Sequence, residues 1–155
     1  METVEHDRRH RVLVLKRTLR EVNNQISLLS HRVSTRAAVK DIDLDTLDYL
    51  SQQGPLTATA LARGIGLHPA TMTGVLDRLE KSGWILRSPV PEDRRATLVS
   101  IDPKRNTDLY ALYAGMDTAM DEVLAPFTDD ELETITRFLR LTAEAGRSST
   151  EELDA

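Results

Sequence analysis

Two groups of residues in this chain have types and spacings suited to chemistry, and neither is a bond-making set. The first lies on one face of a short stretch, His68-Pro69-Ala70-Thr71-Met72-Thr73-Gly74, continued by Arg78 and Lys81. At 100° per residue, Met72, Val75, Leu76 and Leu79 share one side of a helix; Ala70, Thr71, Thr73, Gly74, Asp77, Arg78 and Lys81 share the other. A small, hydroxyl-bearing N-terminal turn fits the major groove of duplex DNA, where threonine hydrogen-bonds base edges and touches thymine methyls. Arg78 and Lys81, further along, suit phosphates, and His68 stands where such a helix begins. The second group is Asp93, Arg94 and Arg95, at the Pro- and charge-rich tip Pro89-Val90-Pro91-Glu92-Asp93-Arg94-Arg95. Arginine on a narrow tip suits a minor groove or a phosphate, and Asp93 is placed to hold Arg95 by a charge-assisted pair. A merely solvated face is the plain alternative for the helix, and the arginines of the tip weigh against it.

Other chemistries find no support. The chain has no cysteine, which excludes disulfides, thiolate metal sites and a cysteine oxidation sensor. Its four histidines, His6, His10, His31 and His68, have no partner at a recognised metal spacing. His6 and His10 lie four apart near the N-terminus, and His31 reads as a satisfied interface residue. No nucleophile motif, phosphate-cradling glycine loop or paired catalytic carboxylates occurs, so neither an enzyme nor a cofactor is expected.

The elements that must position these residues are legible around them. Thr57 caps a short helix with Leu61, Ala62 and Ile65 on its apolar face. Gly64 and Gly66 break it through their backbone freedom. A second helix starts at His68-Pro69, with Pro69 at the first helical position, and stops at Gly83. Helix, glycine-containing turn and helix make a helix-turn-helix. Two strand-like runs follow, Trp84–Ser88 and Thr97–Ile101, joined through the charged tip as a wing.

Upstream, a helix is expected over residues 9–33. Val12, Leu15, Leu19, Val22, Ile26, Leu29 and Val33 step by three and four without a miss, a seam that suits burial against a second chain. Residues 1–8 read as frayed. Asp43 or Asp45 caps a lead-in helix through Leu44, Leu47, Tyr49 and Leu50, ended by Gly54-Pro55. Downstream, residues 107–126 form a helix. Another starts at Thr128-Asp129-Asp130-Glu131, with Thr128 as cap and Glu131 completing a capping box. Leu132, Ile135 and Leu139 carry its apolar face to about Ala145. The tail, residues 146–155, reads as disordered.

The net charge of −5 is the wrong sign for a partner of DNA until it is divided along the chain. Residues 54–105 hold eight Lys/Arg against five Asp/Glu, a net +3; residues 106–155 hold three against twelve, a net −9. The acidity lies in the last third and keeps that end off phosphates. No apolar run approaches membrane-spanning length and METVEHDRRH has no signal-peptide core, so a cytoplasmic protein without a membrane partner is expected.

The central stretch resembles the MarR family of winged-helix regulators. The matching residues are Gly54-Pro55-Leu56-Thr57, Leu61-Ala62, Thr71-Met72-Thr73, Leu76-Asp77-Arg78-Leu79-Glu80, Gly83 and, above all, Pro91-Glu92-Asp93-Arg94-Arg95-Ala96. The last run is similar to the family's wing signature, in which an Asp orients an Arg two positions later into the minor groove. By that resemblance these roles fall on Asp93 and Arg95. Gly74 departs from the pattern, standing where many members carry a basic or polar residue facing DNA. The resemblance implies repression of a nearby operon, relieved by a small, often anionic aromatic compound. It places the effector where the dimerisation helices meet the winged helix, here near Arg17, Arg20, Asn23, Tyr49, Tyr110, Tyr113 and Met116.

The expected architecture is therefore mainly α with a small β-hairpin wing. Residues 9–53 form the N-terminal dimerisation helix and lead-in helix, 54–105 the winged helix-turn-helix, and 106–145 the C-terminal dimerisation helices. The dimer interface is expected at Val12, Leu15, Leu19, Val22, Ile26, Leu132, Ile135 and Leu139, and the DNA partner is a roughly palindromic duplex site. The rival readings are a winged-helix dimer that binds protein, and a constitutive DNA binder without effector.

Overall fold

The computed structural model describes residues 2–90 and 93–153, with side chains described for residues 6–90 and 96–153. The described elements, in order, are α1 (Glu2–Ala37), α2 (Asp41–Gln53), β1 (Leu56–Thr57), α3 (Ala58–Ile65), α4 (Pro69–Lys81), β2 (Ile85–Val90), β3 (Asp93–Ile101), α5 (Pro103–Leu124) and α6 (Asp129–Leu153). The chain divides into two compact units, Met1–Leu112 and Tyr113–Ala155. A mainly helical chain with a small β-wing is what the hydrophobic periods predict.

In the first unit the core gathers where α2, α3 and α4 meet. Leu44, Leu47, Leu61, Met72, Val75, Leu76 and Leu79 are all 2 % exposed or less, each side chain contributing about 1.5–3 kcal/mol relative to exposure. Thr57 caps α3, its hydroxyl accepting from the Ala60 N–H at 3.2 Å. Gly66 ends that helix in the left-handed conformation (φ 74°). Gly64 behaves otherwise than expected. It lies inside α3, is not among the glycines with positive φ, and is small because Tyr49 of α2 is in the way. A Cβ there would stand 2.2 Å from the Tyr49 hydroxyl oxygen and 2.4 Å from Cζ. Glycine at 64 thus serves the approach of α2 to α3 and not a backbone break.

The sheet is antiparallel with order β1-β3-β2. Leu56 pairs with Val99 and Thr57 with Leu98, while Ile85 pairs with Ile101 and Val90 with Asp93. The two-residue β1 has no counterpart in the sequence pattern; it is too short for a period-two signal and exists because β3 offers it a ladder. Trp84 and Ile85 are buried at the base of the wing. Arg105 lies over the Trp84 ring at 4.1 Å from its centroid, and the Asp102 N–H donates to the Trp84 carbonyl at 2.9 Å.

Helix ends account for the remaining differences. α1 begins well before Arg9 and runs past Val33 to Ala37, where Ala38 turns the chain with φ 55° and the Val39 N–H returns to the Ser34 carbonyl. α2 starts at Asp41 with Lys40 as cap, not at Asp43 or Asp45; Asp43 is its third residue, reaching back to the Lys40 N–H at 3.4 Å. α5 starts at Pro103, four residues before the expected Thr107, because the Asp102 carboxylate accepts from the Lys104 N–H at 2.9 Å. The capping box of α6 forms as expected, with the Thr128 N–H donating to Glu131 at 2.8 Å. This bond, the largest influence, holds the Glu131 carboxyl below its ordinary pKa, helped by the Thr128 hydroxyl.

The expected disorder of residues 146–155 is corrected through Leu153, since α6 continues to that residue. Propagating a formed helix costs little, one glycine at 146 costs about 1 kcal/mol against alanine, and no proline follows to stop it. Residues 154 and 155 lie outside the described residues.

The apolar faces expected to serve assembly stay open. In α1, Val12, Leu15, Val22 and Ile26 are 41 %, 48 %, 46 % and 49 % exposed, and Leu19 is half-buried. In α6, Leu132 and Ile135 are half-buried and Leu139 is exposed; α6 has no buried residue among those described.

Candidate nucleic-acid interface

The candidate interface is built on α4, whose inward face is locked and whose first turns are exposed. Met72, Val75, Leu76 and Leu79 are buried against the core, so the helix cannot rotate without losing all four. His68 caps it: the imidazole Nδ1 accepts from the Ala70 N–H at 3.2 Å. An accepting Nδ1 leaves Nε2 to carry the ring proton of the neutral imidazole, a donor at the helix's positive end. Pro69, Ala70, Thr71 and Thr73 are exposed in the first turns. The Thr73 hydroxyl donates back to the Pro69 carbonyl at 3.1 Å. Lys81 is exposed at the far end.

Arg78, expected as a phosphate ligand, is held within the fold by an ion pair while its side chain stays 41 % exposed. Its Nη2 donates to Asp43 Oδ1 at 2.5 Å and its Nε to Asp43 Oδ2 at 3.3 Å, a forked grip on a carboxylate whose side chain is 6 % exposed. The hydrogen bond that Arg78 donates to Asp43, the largest cause, raises the Arg78 pKa above its ordinary value. The guanidinium therefore fastens α4 to the start of α2, the reverse of a mobile surface charge. Asp77 is engaged as well. Arg87 of β2 donates to it at 2.7 Å and lies 3.3 Å from Glu80, tying α4 to the wing.

Asp43 and Arg87 are the residues that sequence reasoning missed. Asp43 reads in sequence only as a helix cap, and its partner lies 35 positions away. Nothing in local spacing announces such a pair. Arg87 sits within β2, ten positions from Asp77, and its strand gives no sign of a partner on the helix before it.

On the wing, β3 begins at Asp93, paired with Val90. The side chains of Asp93, Arg94 and Arg95 lie outside the described residues.

The residues expected around an effector belong to α1, α2 and α5. Arg17, Arg20 and Asn23 are exposed on α1. Tyr49 is half-buried with its ring against Gly64, and Tyr110 is exposed with its hydroxyl 3.0 Å from Ser51 Oγ. Tyr113 is half-buried and Met116 exposed in the second unit. A cavity of about 370 Å³ between α1 and α2 uses none of these seven; Ile26 and Leu44 line it with His31, Asp41 and Asp45. His31 Nδ1 donates to Asp41 at 2.9 Å, and the Ser34 hydroxyl donates to the same carboxylate. The Ser34 bond, then the His31 bond, lowers the Asp41 pKa, while burial and the nearby Asp41 charge raise that of Asp45. Among the described residues no group of His, Asp or Glu is arranged to hold a metal, and no helix is long and apolar enough to cross a membrane.

Comparison with known proteins agrees with this geometry. A model of the MarR family matches residues 43–97, from the buried Asp43 to the second strand of the wing. The uncharacterised HTH-type transcriptional regulator YcgE of Bacillus subtilis is 28 % identical over 128 residues, spanning 82 % of this chain and 83 % of the relative. A probable transcriptional regulator from Pseudomonas aeruginosa, of known crystal structure, is 30 % identical, with 81 % of this chain and 93 % of that one covered and a TM-score of 0.52. A mutant of MepR from a multidrug resistant S. aureus clinical isolate is 17 % identical and shares the fold with a TM-score of 0.71, over 84 % of this chain and 96 % of that one.

Proposed function

Because this chain belongs to the MarR family of transcriptional regulators, which bind DNA and are not enzymes, we propose that it acts as a homodimeric repressor in the cytoplasm, released from a roughly palindromic operator by a small molecule. The observation that carries the reading is α4, anchored by four buried residues and presenting His68, Ala70, Thr71 and Thr73 to solvent at its N-terminal end. In a two-fold dimer the paired helices enter successive major grooves about 34 Å apart. The exposed seam of α1, at Val12, Leu15, Leu19, Val22 and Ile26, supports dimerisation together with Leu132, Ile135 and Leu139 of α6. A stripe of this length left in water marks an interaction surface.

Residues 9–53 and 106–145 then serve assembly, and 54–105 serves DNA. Arg95 reaches the minor groove with Asp93 orienting it, while Lys81 and Arg94 meet phosphates. An anionic aromatic effector is drawn to Arg17 and Arg20, with Tyr49, Tyr110, Tyr113 and Met116 for its ring and Asn23 beside it. The carboxylates of the α1–α2 cavity are the wrong charge for such an anion. Whatever binds must prefer the DNA-incompetent state, since equal affinity for both shifts nothing.

The experiment is binding of the protein to duplex DNA from its own gene's upstream region over a salt series, with footprinting. Expected are a protected pair of half-sites and an affinity falling steeply with salt. Arg95→Ala weakens binding with folding intact and flattens the salt slope by about one. Unchanged affinity in that variant removes the wing from the mechanism; a tight-binding monomer removes the dimer.

A further inference from the structure

The middle of the α4 outward face holds a gap. Gly74 is half-buried in a helix interior, where glycine costs about 1 kcal/mol against alanine. Nothing in the fold demands it. Gly74 is not among the positive-φ glycines, and a Cβ there would meet only Arg78 Nη1, at an ordinary 3.8 Å. This is the opposite of Gly64, where the same added atom collides with Tyr49.

The neighbours of Gly74 on the helix surface lie three and four residues away: Ala70, Thr71, Asp77 and Arg78. The first two are small. The two longer ones are each tied to another element, Asp77 to Arg87 of β2 and Arg78 to Asp43 of α2. Of the two, only Arg78 borders the gap, and its tether to Asp43 holds it at the edge. The Arg78 guanidinium Nη1 stands 3.8 Å from where a Cβ would be, and the small residues Ala70 and Thr71 lie one turn back on the helix.

We propose that Gly74 is a specificity-determining residue, and that the gap it leaves between Ala70, Thr71 and Arg78 receives the C5 methyl of a thymine in each half-site. This rests on the reading of α4 as the DNA-recognition helix. In the major groove the thymine methyl is the apolar group that distinguishes T·A from the other pairs. A notch that lacks a Cβ and has small neighbours one turn back has room for a methyl, whereas a long polar side chain at 74 would read a base edge by hydrogen bonds.

The test pairs a variant with a modified ligand. The bound upstream duplex is resynthesised with deoxyuridine replacing thymidine, one position at a time, which removes only the methyl. Wild-type affinity is expected to fall about fourfold at one position per half-site, the effect of losing one buried methyl. Gly74→Ala, whose new methyl occupies the gap, is expected to melt no lower than wild type. It should bind the thymidine duplex several-fold more weakly and be indifferent to deoxyuridine at that same position. Coupling between the two changes is the supporting result. Equal affinity of Gly74→Ala and wild type, or a thymine profile that the variant leaves unaltered, overturns the inference while leaving DNA binding intact. Failure of the wild type to bind its upstream duplex overturns the recognition-helix reading itself, and this inference with it.

Discussion

α1 and α4 carry apolar stripes of similar regularity, and the structure treats them in opposite ways. Met72, Val75, Leu76 and Leu79 of α4 are at most 2 % exposed, whereas Val12, Leu15, Val22 and Ile26 of α1 are all above 40 %. Periodicity states which face must leave water but not where it goes. In α4 the destination is α2 and α3 of the same chain. In α1 most of the described stripe stays exposed, with Val33 the buried exception near its end. One stripe holds the fold together, and most of the other stays exposed.

The largest expected effect breaks the first half of that contrast. Leu79→Ala, at a position fully buried in the core, should lower unfolding free energy by about 3 kcal/mol, independently of protein concentration in urea melts. Ile26→Glu should leave the helical signal of dilute protein nearly unchanged. It should shift sedimentation to monomer and weaken operator binding, because each half-site alone binds poorly. If Ile26→Glu instead unfolds the protein as Leu79→Ala does, the two stripes are not different in kind.

A smaller effect sharpens the account of α4. Asp43→Ala strips the Arg78 guanidinium of its acceptor and α2 of its reach-back to Lys40; it should cost about 2 kcal/mol in denaturant melts. Asp43→Asn should recover part of this, since an amide oxygen still accepts. A loss below a few tenths of a kcal/mol would mean that the pair does not fasten α4 to α2.

The smallest effect concerns the end of α1 that packs on α2. Asp41 has a folded pKa below its ordinary value of 3.8, held there by Ser34 and His31. Its contribution is therefore complete above that value and lost as pH falls through the depressed one. Stability measured from pH 5 downward should decline less steeply in Asp41→Asn than in wild type. Identical slopes would remove this carboxylate from the acid response.

Local chemistry is legible wherever one or two neighbouring residues decide it. Thr57 and Thr128 announce helix starts through their hydroxyls, Gly66 a left-handed stop, and Pro69 a first helical position. The outward face of α4 is likewise readable, because a rigid helix converts spacing directly into direction. Helix ends are less so. Competition there between solvent, a cap and continued hydrogen bonding is worth little either way, so α1 and α6 run on beyond their periodic cores.

What the sequence by itself determined is the set of faces: which residues of α1, α4 and α6 seek burial, and which residues of α4 must face outward. Those follow from 3.6 residues per turn and need no knowledge of neighbours. Only the tertiary structure decided what each face meets. It joined Arg78 to Asp43 across 35 positions, Arg87 to Asp77, and the Gly64 surface to the Tyr49 ring. The pairing of an ion with a distant partner depends on how whole helices pack, and no local spacing encodes it. A glycine likewise reads the same in sequence whether it makes room for a tyrosine, as at 64, or leaves a gap, as at 74. Only the positions of the surrounding atoms separate the two.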